Sequence, residues 1–195
     1  MEIFTEMTEG DHEEVVFCSD RASGLRAIIA INSTKLGPAI GGCRFMAYHS
    51  EAEAIQDALR LARAMTYKSA VSGLDYGGGK AVILKYESGR ERDLLFKKFG
   101  SFLESLKGKY ITTVDSGTTI IDMENIRSET SYVTGIPTER SGLGDPSPIT
   151  ARGVVWGMKA CLSELYGNDS LSNKVVAIQG VGNVGYYLGL LLEKE

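Results

Sequence analysis

The 195-residue sequence is notable first for what it lacks. No apolar run approaches the ~18 residues of a membrane span, and the opening "MEIFTEMTEG" is acidic where a secretory leader is basic. Basic residues number 21 against 25 acidic, a net charge of −4 without any basic block, which argues against a nucleic-acid partner. The three cysteines, Cys18, Cys43 and Cys161, are widely spaced and form no CxxC pair. They exclude a disulfide framework and a zinc site, and they predict reduced thiols in a cytoplasmic protein with no metal. The two histidines, His12 and His49, lack ligand spacing and are expected to be solvated. There is no G-x-S-x-G and no cysteine with a nearby histidine, so hydrolase triads find no support. Internal repeats and low-complexity tracts are also missing. What remains is ordinary globular composition, 43% hydrophobic and 24% charged, enough for a sizeable core.

Elements alternate along the chain. "EEVVFCSD" and "LRAIIAIN", joined by "RASG", predict an antiparallel hairpin, and "KLGPAIGGCR" reads as a glycine-rich turn. Ser50 followed by Glu53 is a capping box, opening a helix whose buried stripe would be Ile55, Leu59, Ala62 and Met65. "AVSGLDYGGGKAVILKY" is a turn entering a strand. "RERDLLFKKFGSFLESLKG" is amphipathic, with Leu95, Phe99, Phe102 and Leu106 on one face. Then come a strand "KYITTVD", a short helix "TTIIDMENIRSET" and a strand "YVTG". The Gly/Pro/charge-rich "IPTERSGLGDPSP" marks a domain boundary. A helix "ITARGVVWGMKACLSELYG" leads to a terminal β-α piece. The class is α/β: a mixed-sheet domain over residues 1–140, then residues 141–195 as linker helix and first β-α unit of a truncated Rossmann domain.

Four segments could carry chemistry. "GGGK" is no P-loop, because Ala81 follows Lys80 and a strand pattern follows in place of a helix. Lys80 is either a solvated lysine at a tight turn or a lysine to which a ligand approaches closely past the glycines. Lys68 is either a cation at a helix C-terminus or the second member of an anion-binding lysine pair, in which one lysine could serve as acid or base. Asp115, between a β-run and a glycine turn, is either a helix cap or a catalytic carboxylate at a strand end. "GVGNVG" fits G-x-G-x-x-G through Gly180, Gly182 and Gly185, with the β-run "KVVAIQ" before it and a helical run after. It is either a plain βα turn or a pyrophosphate cradle at a helix N-terminus. The acid that would read a ribose is expected ~20 residues on, past Glu195. The lone strand and helix should leave Tyr186, Tyr187, Leu188, Leu191 and Leu192 partly exposed.

Taken together, "LGPAIGGCR", "DALRLARAMTYKSAVSGLDYGGGKAVI", "YITTVDSGTTIIDM", "TGI" and "GDPSPITARGV" resemble the glutamate/leucine/phenylalanine/valine dehydrogenase family, above all its leucine dehydrogenase branch. The resemblance covers effectively the whole chain. It implies oxidative deamination of a branched-chain or other apolar L-amino acid to a 2-oxo acid and ammonia, with NAD reduced. Carried onto matching positions, Lys68 would hold the substrate carboxylate with backbone at Gly41 and Gly42. Lys80 would be the low-pKa lysine that activates water, and Asp115 would trade protons with the amine. Thr150 and the turn Gly180, Gly182, Asn183, Val184 and Gly185 would contact NAD. The family also implies homo-oligomers built through the first domain.

Cys43 and Asp145 stand where the branch has Thr and Asn. Thr113 replaces a small apolar residue and Ile40 replaces Leu, and both would line the side-chain pocket. The chain should be inactive as a 195-residue piece, the activity belonging to a full-length protein. The competing reading is a non-catalytic amino-acid-binding or interaction module derived from such a dehydrogenase.

Overall fold

A computed structural model describes residues 2–85, 91–137 and 144–195, in two compact units, Met1–Leu143 and Gly144–Glu195. The first unit holds helix α1 (Ile3–Gly10), strands β1 (Glu14–Asp20), β2 (Leu25–Ser33) and β3 (Ala39–Met46), and helix α2 (Glu51–Val71). After these come β4 (Gly77–Leu84), α3 (Arg92–Ser105), β5 (Tyr110–Val114) and α4 (Ile120–Arg127). The strands form one mixed sheet in the order β1-β2-β4-β3-β5. β2 pairs antiparallel with β1 and β4, and β3 pairs parallel with β4 and β5. Among the described residues no helix is long and apolar enough to cross a membrane.

Because side chains alternate along a strand, the sheet sorts its residues between two layers. On one face Leu25, Ile29, Ile31, Ala81, Ile83 and Tyr110 pack against Phe96, Phe99, Leu103, Met123 and Ile126 of α3 and α4. On the other, Ile28, Ala30, Val82 and Leu84 pack against Ala54, Ile55, Ala58, Leu59 and Ala62 of α2. The Ser50 cap is present: its side chain accepts from the Glu53 N–H. Glu53 reaches back one residue further than expected, to the His49 N–H. Met65 is only half-buried, as are Phe102 and Leu106 of the expected α3 face, and Phe96 and Leu103 fill the core in their stead.

Four expectations need correction. "KLGPAIGGCR" is a turn only at its start; Ala39–Met46 is the fourth strand in sheet order, and its glycines admit neighbours where side chains would stand. The triplet Gly77–Gly79 likewise lies inside β4 and not before it. A Cβ on Gly78 would sit 2.1 Å from the Thr66 backbone nitrogen, so this glycine lets α2 press directly onto the sheet. "YVTG" contributes only an isolated parallel bridge between Val133 and Thr112. "KVVAIQ" forms no strand: it joins no ladder among the described residues. Of the expected boundary loop, residues 138–143 lie outside the described residues, as do Tyr86 at the end of the β4 run and Arg90 before α3.

The second unit consists of α5 (Ser147–Tyr166) and α6 (Asn183–Leu192), packed on each other. None of the five residues expected to be partly exposed on α6 is buried, and Tyr186 is exposed outright.

Candidate active site

The α2 face of the sheet carries a charge among its apolar residues. Counting back by twos from Leu84 and Val82 reaches Lys80, whose side chain is 6% exposed. A buried ammonium needs a partner, and the Nζ lies 2.9 Å from Oδ2 of Asp115. Asp115 directly follows β5, two strands away across β3. What brings the two together is Gly42, between them on β3: a Cβ there would lie 2.6 Å from the Asp115 Cβ and 3.1 Å from the Lys80 Nζ. The pair thus occupies the space of an absent side chain.

Asp115 is not a helix cap. Thr119 caps α4, in a reciprocal capping box with Asp122. The Asp115 backbone N–H donates to Thr118 Oγ1 at 2.8 Å, which fixes the turn that presents the carboxylate. Burial pushes the Asp115 carboxyl up, but attraction and hydrogen bonds from Lys80 and Arg44 outweigh it and hold the carboxyl below its ordinary value.

Arg44 is a site residue that the sequence alone does not single out. Two positions after Gly42, it projects from the same face, and its Nε donates to the same Asp115 Oδ2 at 3.0 Å. Its Nη1 donates to Asp57 Oδ2 of α2 at 2.8 Å, and Asp57 also accepts from Tyr48 Oη at 2.8 Å and Arg60 Nη2 at 2.8 Å. A charged relay therefore runs from Lys80 through Asp115 and Arg44 to Asp57. Beyond it lies a cleft of about 750 Å³ lined in part by Arg44, Tyr48, Asp57, Arg60 and His12, but not by Lys80, Lys68 or Asp115. His12 is half-buried, and desolvation, aided by Arg63, lowers its pKa; it is not the solvated residue expected.

The other expected substrate residues are arranged less tightly. Gly41 and Gly42 stand opposite Thr112 and Thr113 on β5. Toward β4 the register pairs Ile40 with Gly78 and then Cys43 with Ala81, passing over both glycines. Thr113 is partly buried beside Gly135, whose Cβ would meet Thr113 Oγ1 at 2.7 Å. Ile40 is also partly buried. Lys68 sits in the last turn of α2, exposed, with no ion pair among the described residues. The structure does not bring it into contact with Lys80. Cys43 is fully buried beneath the site, and desolvation raises its thiol pKa far beyond ordinary range. Among the described residues no group of His, Cys, Asp and Glu could hold a metal ion.

The sequence profile described as Glu/Leu/Phe/Val dehydrogenase, dimerisation domain, matches residues 12–132, a span that contains Lys80, Asp115 and Arg44. This chain belongs to that family. Leucine dehydrogenase of Geobacillus stearothermophilus is 54% identical over 195 residues, all of this chain and 53% of the relative. Valine dehydrogenase of Streptomyces coelicolor is 49% identical over 180 residues, 92% of this chain and 50% of the relative. Among solved structures, L-tryptophan dehydrogenase from Nostoc punctiforme superposes with a TM-score of 0.73 at 40% identity, over 98% of this chain and 54% of that one. The chain thus spans about half the length of these family members. Its mixed α/β sheet is that of the family's N-terminal domain.

The glycine turn lies outside the profile match but within the alignment to the Geobacillus relative. Gly180 has φ +87°, a conformation that favours glycine, and α6 begins at Asn183 straight after Gly182. A Cβ on Gly185 would lie 2.4 Å from the Gly180 carbonyl oxygen, so the third glycine closes turn onto helix. A Cβ on Gly182 would meet nothing within 4 Å, leaving its backbone open to an approaching anion. The residues present therefore fit a pyrophosphate. Thr150 is exposed in the first turn of α5, its Oγ1 donating to the Pro146 carbonyl at 3.0 Å.

Proposed function

We propose that the complete protein carrying this chain oxidatively deaminates a branched-chain or other apolar L-amino acid to its 2-oxo acid and ammonia, with NAD as cofactor. The observation that carries this reading is the buried Lys80–Asp115 pair, set against the bare backbone of Gly42. Gly42 lets a buried lysine and a carboxylate meet across β3, and together they supply the base and the proton-exchanging acid that deamination of an amine by water requires.

In this reading the carboxylate of the amino acid is held by the Lys68 ammonium, with backbone at Gly41 and Gly42. Asp115 exchanges a proton with the substrate nitrogen. Lys80 takes the proton of the attacking water and then holds the developing carbonyl oxygen. Residues 1–140 form the substrate-binding and assembly domain; residues 141–195 open the nucleotide domain. NAD, when bound, supplies the hydride acceptor, and Gly180, Gly182, Asn183, Val184 and Gly185, with Thr150, are the residues that would hold it. Ile40 and Thr113 line the pocket for the substrate side chain. One methylene in such a pocket changes specificity by only about 1–3 kcal/mol, so leucine, valine and isoleucine are all expected substrates. Assembly as a homo-oligomer through the N-terminal domain is part of the proposal.

The test is NADH formation at 340 nm by the complete protein with L-leucine, L-valine, L-isoleucine and L-phenylalanine, alongside Lys80→Ala. Turnover by the wild type and its loss in the variant is the expected result. Absence of turnover with every apolar L-amino acid would overturn the proposal.

A further inference from the structure

Lys80 and Arg44 both hold Oδ2 of Asp115, at 2.9 and 3.0 Å. Among the described residues Oδ1 accepts no hydrogen bond, so the carboxylate is anchored by one oxygen and presents the other. The Arg44 guanidinium is itself anchored, because its second branch is tied to Asp57 on α2, and Asp57 is tied in turn to Tyr48 and Arg60. A planar guanidinium that binds two carboxylates through different nitrogens has little freedom left, which a single-point ammonium could not reproduce. Lys80 alone would leave Asp115 free to rotate about the Oδ2 contact. Two donors converging from neighbouring strands define one orientation.

We propose that Arg44 is a positioning residue for the deamination chemistry: it locks Asp115 through Oδ2 so that Oδ1 faces the reacting amine, with Asp57 as its own anchor on α2. This rests on the proposed dehydrogenase reading for its catalytic consequence, but not for its geometry. The charged and titratable groups that bear on Asp115 are Lys80 from β4, Arg44 and the buried Cys43 thiol from β3, and Asp57 from α2, with Tyr48 and Arg60 behind it. Two of them, Lys80 and Arg44, are the cations in direct contact. Taking one away disfavours the ionised carboxylate.

The experiment compares the complete wild-type protein with Arg44→Met and Arg44→Lys. Arg44→Met should lower kcat by about tenfold to a hundredfold, the usual effect of losing the partner that orients a catalytic group. It should also raise the pH at which the Asp115 carboxyl titrates by about one unit, since an opposite charge has left it. Arg44→Lys keeps a charge but cannot span both carboxylates, so kcat should stay low while the Asp115 titration stays near that of wild type. A loss of kcat in Arg44→Met with an unmoved Asp115 titration would mean a purely structural role and overturns the proposal, as would wild-type kcat in either variant. If Arg44→Met does not fold, Arg44→Lys carries the kinetic test. The titration needs no turnover: the carboxyl carbon of Asp115, followed by NMR of the chain, should titrate higher in Arg44→Met than in wild type. If the wild type oxidises no amino acid, the dehydrogenase reading has failed, and the titration still decides whether Arg44 governs Asp115; an unchanged titration overturns that part too.

Discussion

Replacing Gly42 by alanine is the most direct test of how the site is built. The added methyl would lie 2.6 Å from the Asp115 Cβ and 3.1 Å from the Lys80 Nζ. Carbon atoms in contact sit about 3.5–4.0 Å apart, so Asp115 must retreat by roughly 1 Å. It cannot do so freely. Its carboxylate is held by Lys80 and Arg44 and its backbone N–H by Thr118. Crowding of this kind costs about 1–3 kcal/mol. In a chain of this size, 1 kcal/mol lowers the melting temperature by about 2–4 °C. A retreat of ~1 Å by a reacting group costs on the order of a hundredfold in rate. Gly42→Ala should therefore reduce kcat/KM of the complete protein about a hundredfold while the fold survives with a lowered melting temperature. Circular dichroism melts of the chain and NADH-coupled rates of the complete protein measure both. A variant with unchanged melting and a rate within about threefold of wild type, under 1 kcal/mol, would show that the glycine does not set the spacing of the pair.

Four further outcomes are expected. Lys80→Ala should lower kcat far more than Lys68→Ala, since in the proposed mechanism the first acts on the transition state and the second on binding; equal losses in kcat would contradict those roles. Asp122→Asn should cost about 1–3 kcal/mol in urea unfolding: its carboxylate is 2% exposed and satisfies Arg92 and the Thr119 cap, but Arg92 itself is 41% exposed, which keeps the loss below that of a fully buried pair. Iodoacetamide at pH 8 should label one thiol rapidly, the exposed Cys161, and all three only after unfolding, because Cys18 is buried with its thiol pushed up to about 11 and Cys43 is buried too. Stability should decline slightly below about pH 6.5, where the unfolded chain protonates His12 more readily than the fold does, and fall more steeply below about pH 4. Burial raises the carboxyls of Asp115 and Asp57, but their cationic and hydrogen-bonding partners hold both below the ordinary value of about 3.9. Their contribution is complete above that value and is lost as pH falls through the depressed one; urea midpoints that do not fall below pH 4 would refute the assignment.

The elements with strong local signals are legible in the sequence. Ser50 and the Ile55–Leu59–Ala62 spacing fix where α2 begins and which face it buries, and both depend only on neighbours in sequence. Lys80 and Asp115 are legible as candidates, each with a bland alternative. Asp115 loses its capping role only when Thr119 is seen to cap α4, a distinction of four residues that composition cannot make. "KVVAIQ" shows the opposite limit, because strand structure is a property of pairs. Its β-rich composition suits a strand, but a ladder requires partners that no local pattern supplies.

That Arg44 escapes notice in the sequence can be traced to two glycines. Gly41 and Gly42 read as turn signals, which removes β3 from the sheet and leaves Arg44 with no assigned direction. Glycine weakens a strand when its missing side chain leaves a void, but here the space is filled. The Gly79 carbonyl oxygen lies where a Cβ of Gly41 would stand, and the ion pair where a Cβ of Gly42 would stand. Once 39–46 is a strand parallel to both β4 and β5, parity does the rest. Gly42 and Arg44 share the face of Lys80, and a cation two residues from the glycine that admits Asp115 lies within reach of that carboxylate, with Asp57 of α2 as its second partner. The double glycine, the arginine two residues later and the buried lysine on β4 together mark where the carboxylate that follows β5 is held.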